Sequence, residues 1–134
     1  GDWSSDVCSS DLVGIDMTRR DLQGEAKKMG RPWDSGKGFD HGAPCSELVP
    51  VAELGELGSG SIQLTVNGET RQQGDLNQMI WKIPEIISRL SELFTLAPGD
   101  LIYTGTPAGV GPVTRGDQIR AEIDGLAALE LAVG

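Results

Sequence analysis

The chain has 134 residues, with 20 acidic against 11 basic side chains and a formal net charge of −9 at pH 7. That length suits one domain with a modest core, and an acidic chain without clustered Lys and Arg excludes recognition of a nucleic-acid backbone by counterion release. No apolar run approaches the ~20 residues of a bilayer-spanning helix and no basic-then-apolar leader opens the chain, so the sequence reads as a cytoplasmic protein without nucleic acid or membrane as partner.

Residues 2–12, DWSSDVCSSDL, show no strand or helix period and compose a Ser/Asp-rich tail. One reading frame of a common short-read sequencing adapter translates to these residues in order. Residues 1–12 are therefore expected to be a non-native tail, with the gene continuing upstream of Val13. Setting the tail aside leaves Cys45 as the one native cysteine, which without a neighbouring base reads as a small buried hydrophobe rather than a nucleophile.

Val13–Ile15 reads as a strand stub running into Asp16. Arg19–Lys28 lacks Pro and has only Gly24 as a breaker, enough for one or two helical turns. GRPWDSGKGFDHGAPC, residues 30–45, is dense in Gly and Pro and predicts a long loop of the kind that often carries function. Ile62, Leu64 and Val66 alternate up to Asn67-Gly68, the strongest short hairpin signal. From Ile83, the residues Ile86, Ile87, Leu90, Leu93 and Phe94 recur at helical spacing, with Pro84 near the start and Pro98-Gly99 beyond the end. This is the one main amphipathic helix, near 83–95, with Ile83, Ile86, Ile87 and Leu90 as core. DLIYTG, residues 100–105, reads as a buried strand leading into TPAGVGPV, and Ile119–Ile123 alternates before a turn at Asp124-Gly125 and a last strand. The order predicts an α+β domain built mainly on antiparallel sheet.

Four features carry possible chemistry. Asp16 at a strand end offers a hard oxygen ligand; taken alone it reads first as a cap of the next turn or an ion-pair partner of Arg19 or Arg20. Lys37 stands between two glycines that let backbone approach a ligand, though a lone loop lysine is first of all a solvated one. TGTPAGVG presents successive backbone N–H groups and a Thr hydroxyl, an anion cradle or simply a glycine-rich turn, and it lacks the Gly-Lys-Ser/Thr ending of a P-loop. His41, the only histidine, has no triad spacing and reads as a surface loop residue.

Together, GIDMTRRDLQ, GRPWDSGKGFD, GDLNQMIWKIPEII and PGDLIYTGTPAGVGPV resemble the C-terminal catalytic domain of the fumarylacetoacetate hydrolase family, nearest its fumarylpyruvate hydrolase and acylpyruvase branch. The resemblance covers Val13 to about Val133 and implies that residues 13–134 are a partial catalytic domain with that family's β-roll sheet, incomplete at the N-terminus. It implies Asp16 as one of three carboxylates holding Mg²⁺ or Mn²⁺, the other two being a Glu-x-Glu pair upstream. It further implies Arg20 and Gln23 in substrate contact, Lys37 and Gln23 stabilising the oxyanion at the attacked carbon, and Gly105 with Thr106 holding the substrate carboxylate. The family's His–Glu base belongs to a lid segment preceding this stretch, and His41 does not stand at its place. The implied reaction is metal-dependent hydrolysis of a carbon–carbon bond in a 2,4-diketo acid, giving pyruvate and a carboxylic acid, by a protein that is a homodimer at full length. The alternatives are an isomerase or tautomerase, an oxaloacetate decarboxylase, or an inactive fragment lacking part of the metal site.

Overall fold

The computed structural model describes residues 10–55 and 57–134, so most of the Ser/Asp-rich tail lies outside the described residues. The chain is α+β with antiparallel pairing throughout, as its sequence predicts. Where the sequence suggests one domain over 13–134, the chain divides into two compact units: Gly14–Cys45, and Ser46–Gly134 with the chain up to Val13.

The larger unit is built on a four-stranded sheet. β3 (Ser61–Val66) lies between β4 (Glu69–Asp75) and β5 (Gln118–Ile123), and β6 (Leu129–Ala132) completes the far edge. Upstream, β1 (Ser10–Asp11) pairs with β2 (Val49–Pro50). Two residues of the tail thus enter a ladder, which the lack of a side-chain period could not reveal because the bonds are between main chains. Burial of the Asp11 carboxyl there raises its pKa.

The β3–β4 hairpin turns on Asn67 and Gly68, whose φ angles of 53° and 80° suit the twist of a two-residue turn. The pleat puts Val66 inside at 2% exposure, and on β5 the alternate residues Ile119 and Ala121 face the same way at 3% and 5%. Asn67 also fastens the hairpin to the start of β5. Its backbone N–H donates to the Gln118 carbonyl at 2.8 Å, its Oδ1 accepts from the Gln118 N–H at 2.9 Å, and its Nδ2 donates to Asp117 Oδ1 at 3.0 Å.

Helix α3 (Ile83–Leu93) follows a 3₁₀ turn at Leu76–Gln78. Glu85 accepts from the Lys82 N–H at 3.1 Å, satisfying one of the donors a helix start leaves open. Of the four core residues expected on it only Ile87 is buried; Ile83, Ile86 and Leu90 are half-buried, while Leu93 and Phe94 are exposed. Helical period fixes which side chains share a face, not whether anything covers it. No helix among the described residues is long and apolar enough to cross a membrane.

Residues 100–105, expected as a buried strand, form none, and Leu101 and Tyr103 are exposed. Both edges of β3 are already occupied by β4 and β5, and β5 by β3 and β6, so the interior of the sheet has no place for this segment. Cys45, expected inside, is exposed in an isolated bridge to Gly14.

Asp117 gives a pH test of this sheet. Its carboxylate accepts from the Thr114 N–H at 2.9 Å and from Asn67, and these bonds hold its pKa below the ordinary aspartate value. A depressed pKa contributes stability that is present at neutral pH and lost as pH falls through the lowered value. Below about pH 4, unfolding of the wild type should steepen with acid. Asp117→Ala is expected to flatten that limb of a denaturant-midpoint profile, and an unchanged acid limb would reject the role.

Candidate functional site

The unit Gly14–Cys45 carries four of the six predicted site residues. Its first strand-like segment pairs antiparallel with its last. Gly14 bridges Cys45, the Ile15 N–H donates to the Pro44 carbonyl at 3.0 Å, and the Met17 N–H donates to the Gly42 carbonyl at 2.8 Å. This pairing sets Asp16 and Thr18 at the mouth of helix α1 (Arg20–Met29), a ten-residue helix longer than the one or two turns expected. Gly24 does not break it because nearly three turns of main-chain bonds continue around it. Gly30 ends it at φ 67°, its N–H reaching back to Lys27 and Ala26 carbonyls, with Lys27 and Lys28 favourably placed at the helix C-terminus.

Part of the long loop is itself helical. Asp34–Lys37 forms a single turn, α2, which turns Lys37 back toward Asp16. Lys37 Nζ lies 2.7 Å from Asp16 Oδ1, 2.7 Å from Thr18 Oγ1 and 3.3 Å from the Met17 carbonyl oxygen. An ammonium has three protons and no acceptor, so these partners use all three. Asp16 is 57% and Lys37 30% exposed, so water screens the pair and it adds little stability. Its significance is positional: the cation that pairs with Asp16 is Lys37 rather than Arg19 or Arg20, because α2 turns it back onto the 16–18 segment.

Beside them Arg20 Nη1 donates to Gln23 Oε1 at 2.7 Å, one helical turn apart. Gln23 is the buried polar residue of this unit at 6% exposure. Gly36 explains how α2 reaches it. A Cβ at Gly36 would stand 2.9 Å from the Gln23 backbone nitrogen and 3.2 Å from its Cα, and the Gly36 carbonyl accepts from the Arg19 N–H at 2.9 Å. Only a residue without a side chain lets the turn that carries Lys37 press against the helix that carries Gln23. Phe39 lies under the Arg19 guanidinium, 4.4 Å from ring centroid to Cζ.

Gly105 and Thr106 belong to the larger unit and are described there. Gly105 has φ 107°, and the exposed Thr106 follows it in an extended loop rather than a strand. Gln72 of β4 holds that loop, its Nε2 lying 2.7 Å from Thr106 Oγ1 and 2.7 Å from the Pro107 carbonyl oxygen. His41 is exposed with φ 61°, as a surface loop residue.

Thr18, Gly36 and Gln72 were not visible as site residues in the sequence. Thr18 had a weak signal, two residues from Asp16; Gln72 had none, because it meets Thr106 across 34 positions of chain.

Asp16 is the kind of hard oxygen donor Mg²⁺ or Mn²⁺ prefers, but such ions are usually held by more than one protein or substrate oxygen. Among the described residues no three His, Cys, Asp or Glu side chains converge. These residues therefore do not by themselves make up a divalent-metal centre.

The model of the fumarylacetoacetate (FAA) hydrolase C-terminal domain matches residues 6–134. The chain belongs to the fumarylacetoacetate hydrolase family. It is 50% identical over 122 residues to a fumarylpyruvate hydrolase of a Ralstonia species, covering 91% of this chain and 63% of that protein. It is 46% identical over 114 residues to the oxaloacetate tautomerase YcgM of Escherichia coli K12, covering 84% of this chain and 52% of that protein. A crystal structure of fumarylpyruvate hydrolase from Pseudomonas aeruginosa in complex with Mn²⁺ and pyruvate superposes with TM-score 0.92 at 46% identity, covering 98% of this chain and 56% of that one. The chain thus spans between about half and two thirds of these relatives' lengths. The family's enzymes are hydrolases or related enzymes, and the fold is that of its solved members.

Gly36→Ala tests the packing of this unit. It is expected to cost about 1–3 kcal/mol in urea unfolding, because the neighbour that must give way is backbone. A variant as stable as the wild type would show that α2 does not depend on that contact.

Proposed function

We propose that this chain carries residues of a carbon–carbon bond hydrolase acting on 2,4-diketo acids of the fumarylpyruvate or acylpyruvate type. The observation that carries the reading is the grouping in one small unit of Lys37, held 2.7 Å from Asp16, with Arg20 bonded to the buried Gln23. That set offers cationic and amide donors to an anionic, oxygen-rich substrate. The 50% identical fumarylpyruvate hydrolase supports the hydrolytic direction.

In the proposed reaction water adds to the 4-carbonyl carbon, the bond from C3 to C4 breaks, and its electron pair moves into the 2-carbonyl as an enolate. That enolate takes a proton to become pyruvate, and the former C4 leaves as a carboxylic acid. Lys37 and Gln23 donate to the oxygen that becomes negative at C4, each such donor contributing on the order of 3 kcal/mol. Arg20 balances the charge of the substrate, and in the larger unit, taken by itself, Thr106 with the Gly105 backbone is proposed as a receptor for a carboxylate. We propose Asp16 as a single carboxylate ligand of a divalent ion, Mg²⁺ or Mn²⁺, which when bound supplies Lewis-acid polarisation. The Mn²⁺ in the Pseudomonas structure supports that choice of ion class.

A second reading has its own support in the 46% identical oxaloacetate tautomerase. Keto–enol exchange needs the same stabilisation of a negative oxygen without bond cleavage. Incubation of the full-length protein with fumarylpyruvate and, separately, oxaloacetate in Mn²⁺ buffer distinguishes the two. Pyruvate release from fumarylpyruvate is expected, falling about a hundredfold in Lys37→Met. Acceleration of oxaloacetate enolisation alone would favour the tautomerase, and pyruvate release unaffected by Lys37→Met would reject the role of Lys37. Asp16→Asn is expected to weaken Mn²⁺ binding at least tenfold by the electron-spin signal of free Mn²⁺; unchanged affinity would reject the ligand.

A further inference from the structure

We infer that Gln72 is a positioning residue, which fixes the direction of the Thr106 hydroxyl proton and so makes the 105–109 loop a receptor for acceptor-only anions, carboxylates above all. The inference rests on the reading of Gly105 and Thr106 as a carboxylate site.

The argument begins with the orientation of an amide, whose nitrogen and oxygen ends are told apart by their partners. The Gln72 end that meets the loop touches two groups, the Pro107 carbonyl oxygen and Thr106 Oγ1, both at 2.7 Å. A carbonyl oxygen carries no proton, so the group facing Pro107 has to be the NH₂. The NH₂ has two protons and no lone pair to offer. One proton goes to Pro107 and the other to Thr106, whose oxygen therefore accepts. The single hydroxyl proton of Thr106 cannot point at Gln72 and is turned outward, where the residue is exposed.

A hydroxyl ordinarily rotates to suit its ligand, donating or accepting as required. Here one lone pair is already taken, and the proton is presented to whatever arrives. A carboxylate, which only accepts, gains a charge-assisted bond without first reorienting the hydroxyl. The loop is fixed to β4 by two further contacts that leave no room for side chains. Gly109, at φ 105°, approaches the Arg71 carbonyl so closely that a Cβ would collide with it, and a Cβ on Gly74 would stand 3.2 Å from Pro107 Cβ. Gln72 is thus placed by a strand, and Thr106 by a loop clamped to that strand.

The test is a double-mutant cycle on the full chain with pyruvate as probe in Mn²⁺ buffer, its Kd read by NMR titration. Gln72→Met removes the two donors and introduces no charge; Thr106→Val removes the hydroxyl. Each is expected to weaken pyruvate about five- to tenfold, and the double variant should bind no more weakly than Thr106→Val alone. If Gln72→Met has no effect, or weakens binding equally in the Thr106→Val background, Gln72 does not act through the hydroxyl and the inference is overturned. If the wild type binds no pyruvate, or Thr106→Val leaves its Kd unchanged, the carboxylate reading fails and the inference falls with it. A ligand-independent arm reads hydrogen exchange of the Gln72 side-chain amide by NMR. Exchange should quicken in Thr106→Val; identical exchange in both proteins overturns the contact itself.

Discussion

The larger unit depends on the main-chain pairing of β3 on both of its sides. Buried N–H and C=O groups need partners, and a strand bonded along both edges satisfies its own within the sheet. Three aspartates then close the places where ladder bonds run out. Asp124 Oδ2 accepts from the Ser61 N–H at 2.8 Å, Asp75 Oδ1 from the Gly60 N–H at 3.2 Å, and Asp117 from Thr114 and Asn67 at the opposite end of the strand. Three of the chain's 20 acidic side chains are thereby accounted for by strand ends and turns. A carboxylate that accepts a backbone N–H at a strand end does the work of a missing strand.

The smaller unit uses the opposite charge for a comparable purpose. With Ile15 and Ala26 as its buried apolar side chains, its shape rests on antiparallel backbone bonds between 14–17 and 42–45 and on close contact of α1 with α2. Lys37 ties the end of α2 to three oxygens of the 16–18 segment. The same ammonium that would meet a negative oxygen of a substrate is already solvated by the protein. Meeting a ligand therefore means exchanging one of these partners rather than shedding water, which lowers the reorganisation required when charge appears.

Sequence pattern revealed the elements whose signal is local. The Asn67-Gly68 turn, the alternation at 62–66 and 119–123, and the helix beginning near Pro84 all carry their cause within a few residues, and all are present. What stayed hidden is set by contacts distant in sequence. DLIYTG has the composition of a strand but no vacant edge inside the sheet, Leu93 and Phe94 have helical spacing without a cover, and Ser10–Asp11 pair through main chain that composition does not register. The site divides along the same line. Asp16, Arg20, Gln23 and Lys37 stood out through resemblance rather than spacing, and the structure adds the partners that hold them. In the sequence Gly36 reads as letting backbone approach a ligand beside Lys37, whereas its place against the Gln23 backbone is a packing requirement.

Gln23 and Gln72 share a property that bears on how an acidic chain could hold an anion. Each amide is oriented by a partner with only one possible role: Arg20, which can only donate, fixes Gln23 with its oxygen toward the guanidinium, and the Pro107 carbonyl, which can only accept, fixes Gln72 with its nitrogen toward the loop. A neutral donor fixed in this way does not titrate near neutral pH. Its attraction for an anion is short-ranged, so dissolved salt screens it less than it screens a solvent-exposed lysine. In a protein whose overall field repels anions, long-range attraction would work against the net charge, while preoriented neutral donors act only once the ligand has arrived. Such a site sacrifices some speed of encounter and gains discrimination, because a ligand bringing its own donors meets protons already facing outward and finds fewer acceptors to satisfy them.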